Sequence, residues 1–130
     1  GLKDGTIDCI ATDHAPHTDW EKDADFDSAP FGISGLETAL GVCATTLVEP
    51  GHLSWSQLVD KLSLNPARIA GINGHGLAKG QPANLTLVDP QATWTVDPKQ
   101  FVSKGTNTPF AGWHLTGSVV KTIRRGIVVA

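Results

Sequence analysis

The sequence predicts an α/β chain in two parts, a strand followed by helices over residues 1–73 and a strand-rich portion over residues 74–130. Three observations carry that prediction. A short run rich in β-branched residues, Thr6-Ile7-Asp8-Cys9-Ile10-Ala11-Thr12, lies between Gly5 and the polar pair Asp13-His14, as a buried strand would. Apolar residues then recur at helical spacing from Leu36 to about Ile69. Beyond Gly80 apolar and polar side chains alternate, the two-residue period of a half-covered strand.

Each element follows from its residues. From His17 to Pro30 the chain is acidic, holds Trp20 and Phe26 and shows no clean period, which predicts an exposed, ordered loop of the kind that sits over sites. Leu36, Leu40, Cys43 and Leu47 fall at i, i+4, i+7 and i+11, one face of a helix. Pro50-Gly51 breaks it, and Ser54 is placed to cap a second helix through Trp55, Leu58, Val59 and Leu62. Asn65-Pro66 opens a third, short helix with Asn65 at the cap and Gly71 near the stop. Gly74, Gly76, Gly80 and Pro82 then punctuate the chain and mark the boundary. Ala83 to Asp89, Trp94 to Val96, Val119 to Arg124 and Ile127 to Val129 read as antiparallel strands, the last two flanking a turn at Arg125-Gly126. So few strands close no barrel, and their edges call for partners from elsewhere in a parent chain. With no Met in 130 residues, the expectation is a piece of a longer protein.

Composition narrows the function. With 40% hydrophobic and 18% charged residues, the chain has no apolar run approaching the ~20 residues of a membrane helix. The net charge is −3, and Lys and Arg are scattered apart from Arg124-Arg125, so there is no footprint for nucleic acid or an anionic membrane. A small-molecule partner is expected. Cys9 and Cys43 are isolated thiols without a disulfide pattern, and Gly1-Leu2-Lys3-Asp4-Gly5 lacks the apolar stretch of a secretory signal, so a cytoplasmic setting is expected.

The residues with chemistry are Thr12-Asp13-His14-Ala15-Pro16-His17, directly after the predicted strand. In a β/α barrel the C-terminal end of a strand is the active-site face. An Asp there can bind a metal through one oxygen and accept a proton through the other, as a hydrolase requires. Taken alone, the same residues also read as an Asp capping a turn beside surface histidines. Their context decides between the two. Thr-Asp-His-Ala-Pro-His, the acidic loop, and then Ala29-Pro30-Phe31-Gly32-Ile33-Ser34-Gly35-Leu36-Glu37-Thr38-Ala39 resemble the bacterial type I dihydroorotases of the amidohydrolase superfamily. The resemblance continues through Asn65-Pro66-Ala67-Arg68, Gly80-Gln81-Pro82-Ala83-Asn84-Leu85 and Asn107-Thr108-Pro109-Phe110, and so covers essentially the whole chain.

This resemblance implies the end of a metallo-dependent hydrolase (β/α)8 barrel, with its last β/α unit and closing helices over residues 1–73. It implies the C-terminal strands of a small β-sandwich domain over residues 74–130. Asp13 matches the family's aspartate that binds zinc and serves as general base and acid. His17 matches a histidine that helps hold the substrate carboxylate, and Phe31 with Gly32 match a loop that meets the dihydropyrimidine ring. The implied reaction is the reversible, zinc-dependent cyclisation of N-carbamoyl-L-aspartate to dihydroorotate in pyrimidine biosynthesis. The remaining ligands of a paired zinc site would lie outside these residues, so the chain alone is expected to be inactive. Implied partners are the rest of its own chain, a second copy, or aspartate transcarbamoylase. Two alternatives stand beside this reading: a hydantoinase- or allantoinase-type cyclic amidohydrolase, and a dihydroorotase-like subunit that has lost catalysis and serves as a structural partner of the transcarbamoylase. Glu37 reads as an acid favourable to a helix N-terminus. Trp55, Trp94, Phe110 and Trp113 read as packing anchors, and His52 and His75 as surface residues.

Overall fold

Among the described residues, a layer of short helices lies against a three-stranded antiparallel sheet whose strands pair in chain order. The computed structural model describes residues 1–72 and 77–130; the predicted boundary at 73/74, the Gly74-His75-Gly76 turn and the surface placement of His75 lie outside the described residues. Strand β1 is Leu85–Thr95, β2 is His114–Arg124 and β3 is Ile127–Val128. The turn between β2 and β3 falls at Arg125-Gly126 as predicted, and both residues have positive φ, 50° and 81°, the handedness a tight hairpin needs. The two predicted strands ending at Asp89 and starting at Trp94 are one strand with an irregular register between Asp89 and Thr93. Pro90 has no N–H for the ladder, and the Asp89 Oδ1 accepts the N–H groups of Gln91 and Ala92 at 2.9 and 3.2 Å. The strand thus bends without ending.

Among the described residues four short α-helical segments precede the sheet: α1 Asp19–Lys22, α2 Ala39–Cys43, α3 Trp55–Val59 and α4 Asn65–Ile69. Helix α2 runs on through a wide π turn, Ala44–Val48, and α3 joins α4 through another, Asp60–Leu64. Ser54 caps α3 as predicted: its Oγ accepts the Gln57 N–H at 3.2 Å, and its own N–H donates to Gln57 Oε1 at 2.8 Å. Asn65 does not cap a separate third helix. The chain is helical straight through it, because the wide turn just before Pro66 relaxes the backbone where the proline would otherwise disrupt a regular ladder. The Asn65 side chain instead donates through Nδ2 to the Asp8 carbonyl at 2.8 Å.

The sheet and helices meet through small residues. Leu58, Ala44, Leu115 and Val96 are nearly fully buried, and a Cβ on Gly41 would stand 3.0 Å from Leu115 Cδ1 and 3.1 Å from Trp94. Gly117, at φ +87°, faces Trp55 in the same way, 2.9 Å from the ring. The buried face of α2 and the π turn that continues it is therefore Gly41 and Ala44, and the predicted leucine stripe is only half-covered, with Leu36 59% exposed. The predicted strand Thr6 to Thr12 does not form and is not buried. A strand of a parallel sheet needs neighbours on both sides, and among the described residues none lies beside it. Its backbone is held by the helical layer instead: the Ile10 N–H donates to the Lys61 carbonyl at 2.9 Å, and Lys61 Nζ reaches the Ile7 carbonyl. No helix among the described residues is long and apolar enough to cross a membrane.

Candidate active site

The chain turns sharply at Asp13. Its φ is +45°, a left-handed conformation that Asp tolerates better than most residues and that often marks functional positions. The carboxylate is exposed, and none of the described residues hydrogen-bonds it. The backbone beyond the bend is fixed. His14 makes a parallel bridge with Ile33, and the Ala15 N–H donates to the Ile33 carbonyl at 3.0 Å.

His14 is a brace. Its Nδ1 accepts the N–H groups of Gly35 and Leu36 at 3.1 and 3.3 Å, which places the ring proton on Nε2, 3.5 Å from Ser103 Oγ. Three of the residues predicted to bind substrate come together beyond it. His17 Nε2 donates to the Phe31 carbonyl at 2.8 Å, and Gly32 packs so closely that a Cβ there would lie 2.6 Å from the Ala15 carbonyl oxygen and 3.3 Å from His17 Nε2. The Phe31 ring is 97% exposed, so the loop offers an aromatic face beside the histidine.

The acidic segment is ordered by its own charges. Thr18 donates through N–H and hydroxyl to the Glu21 carboxylate at 2.9 and 2.6 Å, and these bonds hold the Glu21 carboxyl below its ordinary range. His17 Nδ1 lies 3.8 Å from the same carboxylate. Lys22 Nζ donates to the Pro30 carbonyl at 2.6 Å, which closes the loop onto its far end. The Thr18-x-x-Glu21 spacing is the capping-box signal that could have located α1 within the predicted loop.

The second half of the chain supplies a floor that sequence reasoning did not find. The Ser103 N–H donates to Glu37 Oε1 at 2.8 Å. Glu37 thus holds the floor in place rather than only facing a helix end. Desolvation raises its pKa, but the Ser103 hydrogen bonds, with the nearby His14, more than offset this and leave it below the usual carboxylate range. Its Oε2 is buried without a partner among the described residues. Thr106 Oγ1 donates to Asp19 Oδ1 at 3.0 Å, and Asn107 Nδ2 to the Gly32 carbonyl at 3.1 Å. A cavity of about 460 Å³ opens beside Glu37, Trp94, Asp97 and Phe101, away from Asp13.

Among the described residues no three His, Cys, Asp or Glu side chains gather as a metal cluster. The free, outward Asp13 carboxylate fits a metal as one ligand of a larger set. What these residues can do is bind one side of such an ion, move a proton at the second carboxylate oxygen, and present a histidine, a backbone carbonyl and an aromatic ring to a small polar ring.

The sequence matches the amidohydrolase family over residues 1–129. It is 54% identical to the dihydroorotase of Pelotomaculum thermopropionicum, over 99% of this chain and 30% of the relative. It is 50% identical to the dihydroorotase of Mycobacterium leprae over the same shares. The fold superposes on an L-hydantoinase (dihydropyrimidinase) from Arthrobacter aurescens with a TM-score of 0.90 and 36% identity, over 99% of this chain and 30% of that one. For the dihydropyrimidinase of Brevibacillus agri the TM-score is 0.91 and the identity 27%, over 99% and 29%. The chain spans about 30% of the length of the curated relatives it matches.

Proposed function

This chain belongs to the amidohydrolase family and shares its fold as part of a barrel domain, and on that premise we propose that it is the C-terminal portion of a dihydroorotase. The carrying observation is the meeting of His17, Phe31 and Gly32, a few residues along the chain from an exposed Asp13, inside a stretch 50–54% identical to curated dihydroorotases. The substrates are N-carbamoyl-L-aspartate and dihydroorotate, the setting is the cytoplasm, and the reaction serves pyrimidine synthesis. Zinc, when bound, supplies the Lewis acidity that polarises the scissile amide. Asp13 would be one of its ligands, and its carboxylate would take a proton from the attacking water and return it to the departing ring nitrogen.

His17 and Phe31 work as a pair. A substrate carboxylate is a stronger acceptor for the His17 Nε2–H than the Phe31 carbonyl it now meets. On exchange, the carbonyl is released to accept from the substrate ring. The other zinc ligands come from the rest of the protein, so the isolated 130 residues are inactive.

The hydantoinases form a second reading, which the fold match at 36% identity supports; the 54% identity to a dihydroorotase supports the first. Zinc-loaded full-length protein should open dihydroorotate, and Asp13→Asn should lower turnover by about a hundred- to ten-thousandfold, the range for a lost acid–base group. Turnover of hydantoin but not dihydroorotate would establish the second reading. An inactive protein that co-purifies with aspartate transcarbamoylase would point to a structural subunit.

A further inference from the structure

We infer that Asn107 is a positioning residue for the substrate loop, a clamp from the far half of the chain that sets where the Phe31 carbonyl and Gly32 stand against His17. The inference rests on the proposed role of that loop in binding dihydroorotate.

Asn107 grips the loop twice. Its Nδ2 donates to the Gly32 carbonyl at 3.1 Å, and its own carbonyl accepts the Ser34 N–H at 2.8 Å. The grip is anchored from behind: Ser34 is fully buried, and its Oγ donates to the Gly105 carbonyl at 2.5 Å. Gly105 is itself pressed against the active-site hexapeptide, where a Cβ would lie 2.7 Å from Pro16 Cβ and 2.9 Å from the His17 carbonyl oxygen. The floor that holds Asn107 is therefore the same floor that supports His17.

The loop needs such a clamp. Gly32 sits at φ +122°, in a region open to glycine, and glycine is the residue that resists rotation least. On one side of it stands Phe31, with an exposed ring and a carbonyl on His17. A rotation at Gly32 would swing that carbonyl away. The Asn107 amide is the side-chain group holding the Gly32 carbonyl, 75 residues away in sequence. The Asn107 contacts run to Gly32 and Ser34 and not to Asp13, so the clamp governs substrate placement more than proton transfer.

Asn107→Asp keeps the shape and turns the donor into an acceptor facing the Gly32 carbonyl. In zinc-loaded full-length protein it should raise KM for dihydroorotate about tenfold, the loss expected for one hydrogen bond, with kcat within about twofold. Melting temperature and zinc content should hold, and hydrogen exchange at Gly32 to Ser34 should quicken. Unchanged KM and exchange would overturn the inference, and so would a kcat loss without a KM change. If the Asp variant does not fold, Asn107→Ser, which keeps a shorter donor, is read in the same way; failure of both to fold would show a structural brace and overturn the positioning role. Should the wild type not turn over dihydroorotate at all, the functional proposal fails while exchange still decides the clamp: faster exchange in the variant supports it, equal exchange overturns it.

Discussion

The His17 imidazole and the Phe31 carbonyl, fourteen residues apart, are joined by a 2.8 Å hydrogen bond that brings the hexapeptide and the Phe31-Gly32 loop into one surface. Because a carbonyl can only accept, the bond fixes a proton on Nε2. The histidine is thus preset as a donor before any substrate arrives.

His17→Ala should therefore weaken binding rather than chemistry. A hydrogen bond to a charged acceptor corresponds to a roughly ten- to hundredfold rise in KM for dihydroorotate. Steady-state kinetics on full-length protein at fixed zinc would check this, and a variant with wild-type KM would remove His17 from the site.

Glu37 links stability to pH. Its carboxyl is held below its ordinary range in the folded protein, so its contribution is fully present above the unfolded value of about 4.3 and is lost as pH falls through the lower folded value. Solvent screening on its exposed side keeps the effect below about 1 kcal/mol. Glu37→Gln should lower the melting temperature at neutral pH and flatten the acid limb of the stability curve between about pH 5 and about pH 3. Parallel acid limbs in variant and wild type would refute the linkage.

Gly117 tests how tightly sheet and helices fit. Alanine there meets the Trp55 ring at 2.9 Å and the Ala44 Cβ at 3.3 Å, on a backbone at φ +87°. Overpacking and backbone strain together should destabilise by about 2–4 kcal/mol, read as a shift of the denaturant midpoint. Gly51→Ala shares a positive φ, +75°, with nothing within 4 Å, and should cost about 1 kcal/mol, which separates strain from overpacking.

The sequence revealed local order and missed long-range order. The strands of the second half were legible because β-branched residues alternate there and Arg125-Gly126 carries its own turn chemistry. Ser54 was legible because a cap residue stands directly between the Pro50-Gly51 break and the apolar run from Trp55, and the structure adds Gln57 as its partner. The segment Thr6 to Thr12 misled, since its composition suits a strand whose neighbours these residues do not supply. Asn65-Pro66 misled because cap preference is a local rule, and the wide turn ahead of it overrides that rule. At the site, Asp13, His17, Phe31 and Gly32 stood out through the family motif, and the last three meet in space. Glu37 and Asn107 lie in the resembling stretches too, but their roles, like that of Ser103, did not show there, because their contacts span 66 to 75 residues and no periodicity reports such pairings.

The wide turn Asp60–Leu64 also acts as a gear. A helix advances about 100° per residue, so the turn sets the angular phase at which Asn65 reaches the Asp8 carbonyl and Lys61 the Ile7 carbonyl. Those contacts hold the segment that delivers Asp13. A regular helix over the same residues would advance further at each step and so carry Asn65 out of phase with Lys61, disengaging the teeth that index the segment bearing Asp13.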